Sequence, residues 1–159
     1  MRWLLHARDV RHRTTTIGLA WLCLAGAAFA EDGYRYSLFD GKTLHGWTAE
    51  NGAVAEVQDG LLLLKAGDGW LRSDHTYGDF QLVVEWKALK AEGYDAGIFL
   101  RAAKDGKPFP KPNYQINLKE GQEGHLIGAN GGQSRGLIKP GEWNVFEATV
   151  LGETASLKI

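Results

Sequence analysis

His125 stands in the stretch EGQEGHLIG, after a glycine-rich turn and at the entrance to a short apolar run. An imidazole titrates near neutral pH, so this side chain can take or give a proton under working conditions. Glu85, Asp95 and His75 are the other groups placed to act as a base. Around them lie Arg101 at the end of AGIFLR, and Tyr114, Gln115, Asn117 and Lys119 in the run YQINLK. A carboxylate, a guanidinium and two amides beside Phe99 and Tyr114 make an inventory suited to carbohydrate. Planar polar groups satisfy paired hydroxyls, and aromatic faces receive the C–H faces of a sugar. Glu85, Asp95 and His125 could also supply oxygen and nitrogen ligands to a divalent ion, although no tight spacing such as His-x-x-x-His is present.

These side chains need strands to hold them. Short apolar or alternating runs recur along the chain, each closed by Gly, Asp or Asn, and no long stretch has helical period, which is an all-β pattern. The runs cover residues 36–39, 53–58, 60–65, 69–72, 80–89, 96–102, 113–119, 125–127, 143–151 and 154–159. Asp59-Gly60, Asp105-Gly106, Asn130-Gly131-Gly132, Pro140-Gly141 and Gly152-Glu153 supply turn chemistry between them. Strands in this number and length suggest a two-sheet antiparallel sandwich, with a closed barrel as the structural rival.

Period-two alternation assigns the faces. Phe80, Leu82, Val84 and Trp86 share one face of their strand, opposite Glu85; Ile98 and Leu100 oppose Phe99 and Arg101; Tyr114, Ile116 and Leu118 oppose Gln115, Asn117 and Lys119. If consecutive strands neighbour one another in one sheet, Glu85, Arg101, Gln115 and Asn117 project from a common surface. A plain solvent-facing sheet side would also be polar, with Glu85 and Arg101 as an ion pair contributing roughly 0–1 kcal/mol. The amides favour the sugar reading, because Asn is depleted in strands.

Residues 1–30 have the features of a secretory signal: Arg2, Arg8, Arg11 and Arg13, an apolar run from Ile17 to Gly26, and Ala28-Phe29-Ala30 as an A-x-A cleavage site. The apolar run is short for a bilayer span. Cys23 follows Leu22 where a lipidation signal wants a small residue, so it leaves with the leader. The expected product is a cysteine-free domain over residues 31–159, periplasmic or extracellular, with no integral membrane segment. It holds 18 acidic and 14 basic residues, a net charge of −4 with His neutral. Without a basic stripe, nucleic acid and anionic membranes are poor partners.

Five stretches in order, SLFDGKTLHGWT, YGDFQLVVEWK, DAGIFLR, PNYQINL and GLIKPGEWNVFEATVLG, resemble the 3-keto-disaccharide hydrolase family. That family is also described as 3-keto-glucoside 1,2-lyases and 3-keto-2-hydroxy-glucal hydratases. The resemblance implies a concanavalin A-like jelly roll. Where many members carry Asn-Ser-Gly this chain has Asp95-Ala96-Gly97, and where many carry Glu it has Asn113. A catalytic carboxylate is therefore not transferred to that strand. ETASLKI stops at Ile159 inside a hairpin strand where relatives continue, so the chain reads as truncated.

The resemblance further implies a carbohydrate substrate oxidised to a ketone at C3. The ketone acidifies the C2 hydrogen, a base removes it, the C1 substituent leaves, and water adds back to the glycal. The candidate catalytic groups are His125, Glu85 and Asp95, and Arg101, Tyr114, Gln115, Asn117 and Lys119 are the candidate substrate binders. The rival readings are a lectin-like carbohydrate-binding module on the same fold and an interaction domain with no sugar site.

Overall fold

The computed structural model describes residues 3–12, 34–104, 106–107, 109–111, 114–128, 132–134 and 136–159. Cys23, the Ala28–Ala30 site and Asn113 lie outside them. The described residues form no helix; they form twelve strands: β1 (Trp3–His12), β2 (Tyr34–Tyr36), β3 (Trp47–Glu50), β4 (Val54–Gln58), β5 (Leu61–Ala66), β6 (Trp70–Ser73), β7 (Phe80–Ala88), β8 (Gly97–Leu100), β9 (Tyr114–Asn117), β10 (Leu126–Ile127), β11 (Asn144–Leu151) and β12 (Thr154–Lys158). Every pairing between them is antiparallel.

A seven-stranded sheet runs β12-β11-β7-β1-β5-β4, with β2 also paired to β1. A three-stranded sheet runs β10-β9-β8, and β3 pairs with β6. In the uncleaved chain Trp3–His12, expected as the basic start of a leader, is thus a strand inside the larger sheet. It pairs with β7 along its length, with β5 at one end and with β2 at the other. The β4–β5 hairpin turns on Asp59-Gly60, both at positive φ (52° and 77°), the conformation that matches the twist of the flanking strands.

The two sheets face each other across one core. Phe80, Leu82, Val84 and Trp86 of β7 and Phe146, Ala148 and Val150 of β11 pack with Tyr94, Leu100, Ile116 and Leu118 from the β8–β9 side. The strict alternation of buried and half-buried residues along β7 follows its sequence pattern residue by residue. Trp86 and Phe146, each 1% exposed, meet edge to face with ring centroids 5.3 Å apart.

Contrary to the expectation from sequence, β7 does not neighbour β8 and β9 in one sheet. β7 lies between β1 and β11, and the chain crosses to the other sheet before β8 begins. Asn144, Phe146 and Ala148 are consequently the registered neighbours of Trp86, Val84 and Leu82.

The segment Leu38–Trp47 closes on itself before β3. Asp40 Oδ1 accepts the backbone N–H groups of Lys42 and Thr43, each at 2.7 Å, and Asp40 Oδ2 accepts the Thr43 hydroxyl at 2.7 Å. Trp47 Nε1 donates to Leu38 O at 2.7 Å, tying the end of the loop to its start. The Thr43 hydroxyl first, then the two amides, hold the Asp40 carboxyl down from the ordinary 3.8 to about 2. A carboxylate depressed on folding stabilises the fold above its unfolded value and loses that effect as pH falls toward its folded value. The thermal midpoint is expected to fall between about pH 4 and pH 2 more steeply in the wild type than in Asp40→Asn. Equal slopes in a pH series of melting curves would refute this role.

Candidate functional site

The loop from Asn117 to His125 is built by its glycines. Gln122 N donates to Lys119 O at 2.9 Å, and His125 N donates to Gln122 O at 3.1 Å, closing two successive turns. Gly124, at φ +84°, takes the third position of the second turn, where a positive φ is required. Gly124 N donates to Asn117 O and Asn117 N donates to His125 O, both at 2.8 Å, so Gly124 and His125 together oppose Asn117. This is a β-bulge with glycine in its left-handed position, a device that re-aims the next side chain. A Cβ on Gly124 would sit 2.5 Å from Ile159 Cδ1 and 2.7 Å from Ser134 Oγ, so the loop fits closely under β12 and the 132–134 segment.

The bulge places His125 beside a second wall. His125 Nε2 lies 3.0 Å from Ser134 O. A carbonyl only accepts, so Nε2 carries the proton and Nδ1 holds the lone pair of the neutral ring. Ser134 Oγ donates to Glu123 O, and Leu126 N donates to Gly132 O at 3.3 Å, fixing the wall to the loop. Between them opens a cleft of about 630 Å³ lined by Gln122, Glu123, His125, Gln133, Ser134 and Ile138 among others. That volume lies within the range of small-molecule sites.

Glu123 is the functional candidate that the sequence reading missed. It is 9% exposed, and its Oε1 accepts a hydrogen bond from the hydroxyl of Tyr94, which is 2% exposed. Burial foremost, then the hydrogen bond to Glu123, pushes the Tyr94 phenol up, so it stays protonated and donating well above neutral pH. The signal available in the sequence was the pair Glu123-Gly124, since a glycine at the third position of a tight turn puts its predecessor at the corner.

The other candidates divide by position. Asp95, Asn117, Lys119 and His125 come together at one end of the β8–β9 pair. Lys119 Nζ lies 3.7 Å from Asp95 Oδ2, an exposed pair, while Gly97 is registered with Asn117. Asn117 is 3% exposed and spends its amide on the loop, receiving Lys119 N at 3.1 Å and donating to Gln122 Oε1 at 3.1 Å. It braces the loop rather than presenting an amide to a ligand.

Gln115 lies across Gly97. A Cβ at Gly97 would stand 1.9 Å from Gln115 Nε2, which donates to Ala96 O at 3.3 Å. The stretches DAGIFLR and PNYQINL are thus one physical lock. Gly97→Ala is expected to displace Gln115 and cost about 1–3 kcal/mol in a denaturant melt, with the loss largely relieved in Gly97→Ala/Gln115→Ala. A double mutant no more stable than Gly97→Ala would break the link.

Three candidates are placed elsewhere. Glu85 is registered with Val145 of β11 on the side of the seven-stranded sheet that faces away from the core. Arg101 has φ +48°, which ends the alternation of β8, and its Nη2 lies 2.9 Å from Asp79 Oδ1. Asp79 Oδ1 also accepts Gly152 N at 2.8 Å, so Arg101 locks the β11–β12 turn. Tyr114, 42% exposed, is registered with Leu100 at the same far end of the pair. Glu85, Asp95 and His125 do not converge as ligands: among the described residues, no three His, Cys, Asp or Glu side chains gather in a metal-holding group. His75 sits exposed in the turn before β7, its carbonyl accepting the Ser73 hydroxyl at 3.0 Å.

Among the described residues, no helix is long and apolar enough to cross a membrane. Searches of curated proteins and of solved structures return no match to the chain. A family model does match, over residues 35–159, which span the self-closed Asp40 loop, strands β3 to β12 and the whole cleft. The chain belongs to the family of the 3-keto-alpha-glucoside-1,2-lyase-like domain.

Proposed function

We propose that this protein cleaves 3-keto-glycosides by elimination and hydration in the cleft between the 117–125 loop and the wall of Gln133, Ser134, Gly136 and Ile138. The observation that carries the reading is Glu123, a carboxylate on the cleft wall held by a buried phenol and two residues from His125. A positioned base and a nearby acid are what the reaction needs.

Glu123 takes the proton from C2 of the sugar, which the C3 ketone has acidified. The C2–H electrons form the C1=C2 bond as the C1–O bond breaks. His125, acting as the imidazolium with Nδ1 protonated as well as Nε2, delivers the Nδ1 proton to the departing oxygen and regains it from the water that adds at C1. Addition of water across C1=C2 places hydroxide at C1 and a proton at C2, giving the free 3-keto sugar and the alcohol. In this reading Gln122 and Gln133, which line the cleft, receive hydroxyls or the enolate oxygen, and Lys119, paired with Asp95 at 3.7 Å beside the loop, supplies positive charge at its edge.

Incubation with a 3-keto-disaccharide, followed by ultraviolet absorbance and proton NMR, is expected to reveal a 2-hydroxy-glucal intermediate and then the 3-keto monosaccharide. Parallel reactions with and without a chelator report any requirement for a divalent metal. Saturable binding without turnover in both conditions would replace the enzyme with a carbohydrate-binding module.

Export through residues 1–30 belongs to the same proposal. N-terminal sequencing of protein recovered from the periplasm is expected to begin at Glu31. A mature protein that starts at Met1 and keeps β1 in the sheet overturns it.

A further inference from the structure

The three-stranded sheet presents a second surface beside the cleft. Ile127 of β10 is registered with Gln115 of β9, and Gln115 with Phe99 of β8, so these three side chains form one row across the sheet. The next row holds His125 with its bulge, Asn117 and Gly97. Two residues along a strand separate the rows by about 7 Å, so a substrate held at His125 by its sugar can extend its leaving group over the neighbouring row.

The row is extended by Phe109. Its ring centroid lies 6.0 Å from that of Phe99 with the planes tilted by 30°, and 45% of the residue is exposed. Ile127 is 39% exposed at the other end. None of Phe99, Phe109, Gln115 and Ile127 carries a charge, and the only amide among them has committed its Nε2 to Ala96 O. Aromatic faces can receive the C–H faces of a sugar, but its hydroxyls would still ask this surface for several hydrogen bonds, because each brings a donor and acceptors. A flat aromatic ring asks for apolar contact and an aromatic partner.

We infer that the Phe99–Phe109–Ile127 surface is the subsite for the leaving group, and that it takes an aryl aglycone. The inference rests on the elimination reading of the cleft, since it is the proximity of this row to His125 that makes it a leaving-group site. It makes Phe109 and Phe99 specificity-determining residues rather than catalytic ones.

The test compares kcat/KM for phenyl, methyl and glucosyl 3-keto-glucosides in the wild type, Phe109→Ala and Phe99→Ala. The intrinsic reactivity of each leaving group is the same in every variant, so the change in the phenyl-to-methyl ratio isolates the subsite. That ratio is expected to drop about three- to tenfold in each variant. An unchanged ratio in both variants overturns the inference, as does an equal drop for the glucosyl substrate, which would make the surface a sugar subsite. If no substrate turns over, the elimination reading fails and the surface is judged by binding alone. Phenyl glucoside is then expected to bind the wild type about three- to tenfold more tightly than Phe109→Ala, with the Ile127 methyl resonances shifted on titration. Equal affinity overturns the subsite independently of catalysis.

Discussion

Glu123→Gln is expected to lower kcat on a 3-keto-glycoside by about 10²- to 10⁴-fold, roughly 3–5 kcal/mol of transition-state stabilisation. The substitution separates chemistry from structure. The amide oxygen can still accept the Tyr94 hydrogen bond and fills the same space, while the group can no longer take a proton. KM is expected to change little, because removing a group that acts in the transition state leaves ground-state binding in place. Tyr94→Phe keeps the ring in the core and removes only the donor, so its loss in kcat is expected to be smaller, about tenfold. Steady-state kinetics, with melting curves to verify folding, check both. A Glu123→Gln variant within threefold of wild type would move the base to His125 or Asp95.

Phe146→Ala is expected to cost about 3–5 kcal/mol of stability. Phe146 is 1% exposed and meets Trp86 edge to face, at a strand that sits between β7 and β12. Truncation leaves a void on the face where the two sheets join, and it removes the aromatic pair as well as the transferred area. Small domains have a total stability of about 5–15 kcal/mol, so the variant should stay folded only marginally. The denaturant midpoint is expected to fall steeply while the slope m holds. Val145→Ala, next along the same strand but 43% exposed, serves as the control and should shift stability by less than about 0.5 kcal/mol. A small loss at Phe146 would mean that the core collapses around the void.

Much of the fold was legible because burial here follows strand parity. The alternation of β7, the Asp59-Gly60 turn, the core residues Ile116 and Leu118, and the paired outer positions of β8 and β9 all follow from side chains pointing to opposite faces in turn. Parity says nothing about which sheet a strand joins. The residues between Ala88 and Gly97 carry the chain across the sandwich, and that crossing put Glu85 on the far side from Gln115.

The site was half legible for a related reason. His125, Asn117, Lys119 and Asp95 share one end of a strand pair because they are near one another in sequence or in register. Arg101 left the pattern when its backbone took a positive φ, and Asp79 captured it. Glu123 was invisible to alternation because it lies in a loop. Its burial comes from Tyr94, 29 residues earlier in the chain, and only the folded arrangement brings them together.

The pairing of β1 with β7 has a consequence for the order of folding. The β4–β5 and β11–β12 hairpins close across two residues each, contacts that form within microseconds once both strands exist. In contrast, Trp3 pairs with Ala88 and His12 with Phe80, so the larger sheet is joined through residues 68 to 85 positions apart. Loop-closure entropy makes such contacts late and slow. In the uncleaved chain β1 is made before β7 and must wait for it before its place in the sheet exists. The hairpins can therefore assemble on the clock of local chain motion, while in the uncleaved chain completion of the large sheet is set by how long β1 stays unpaired.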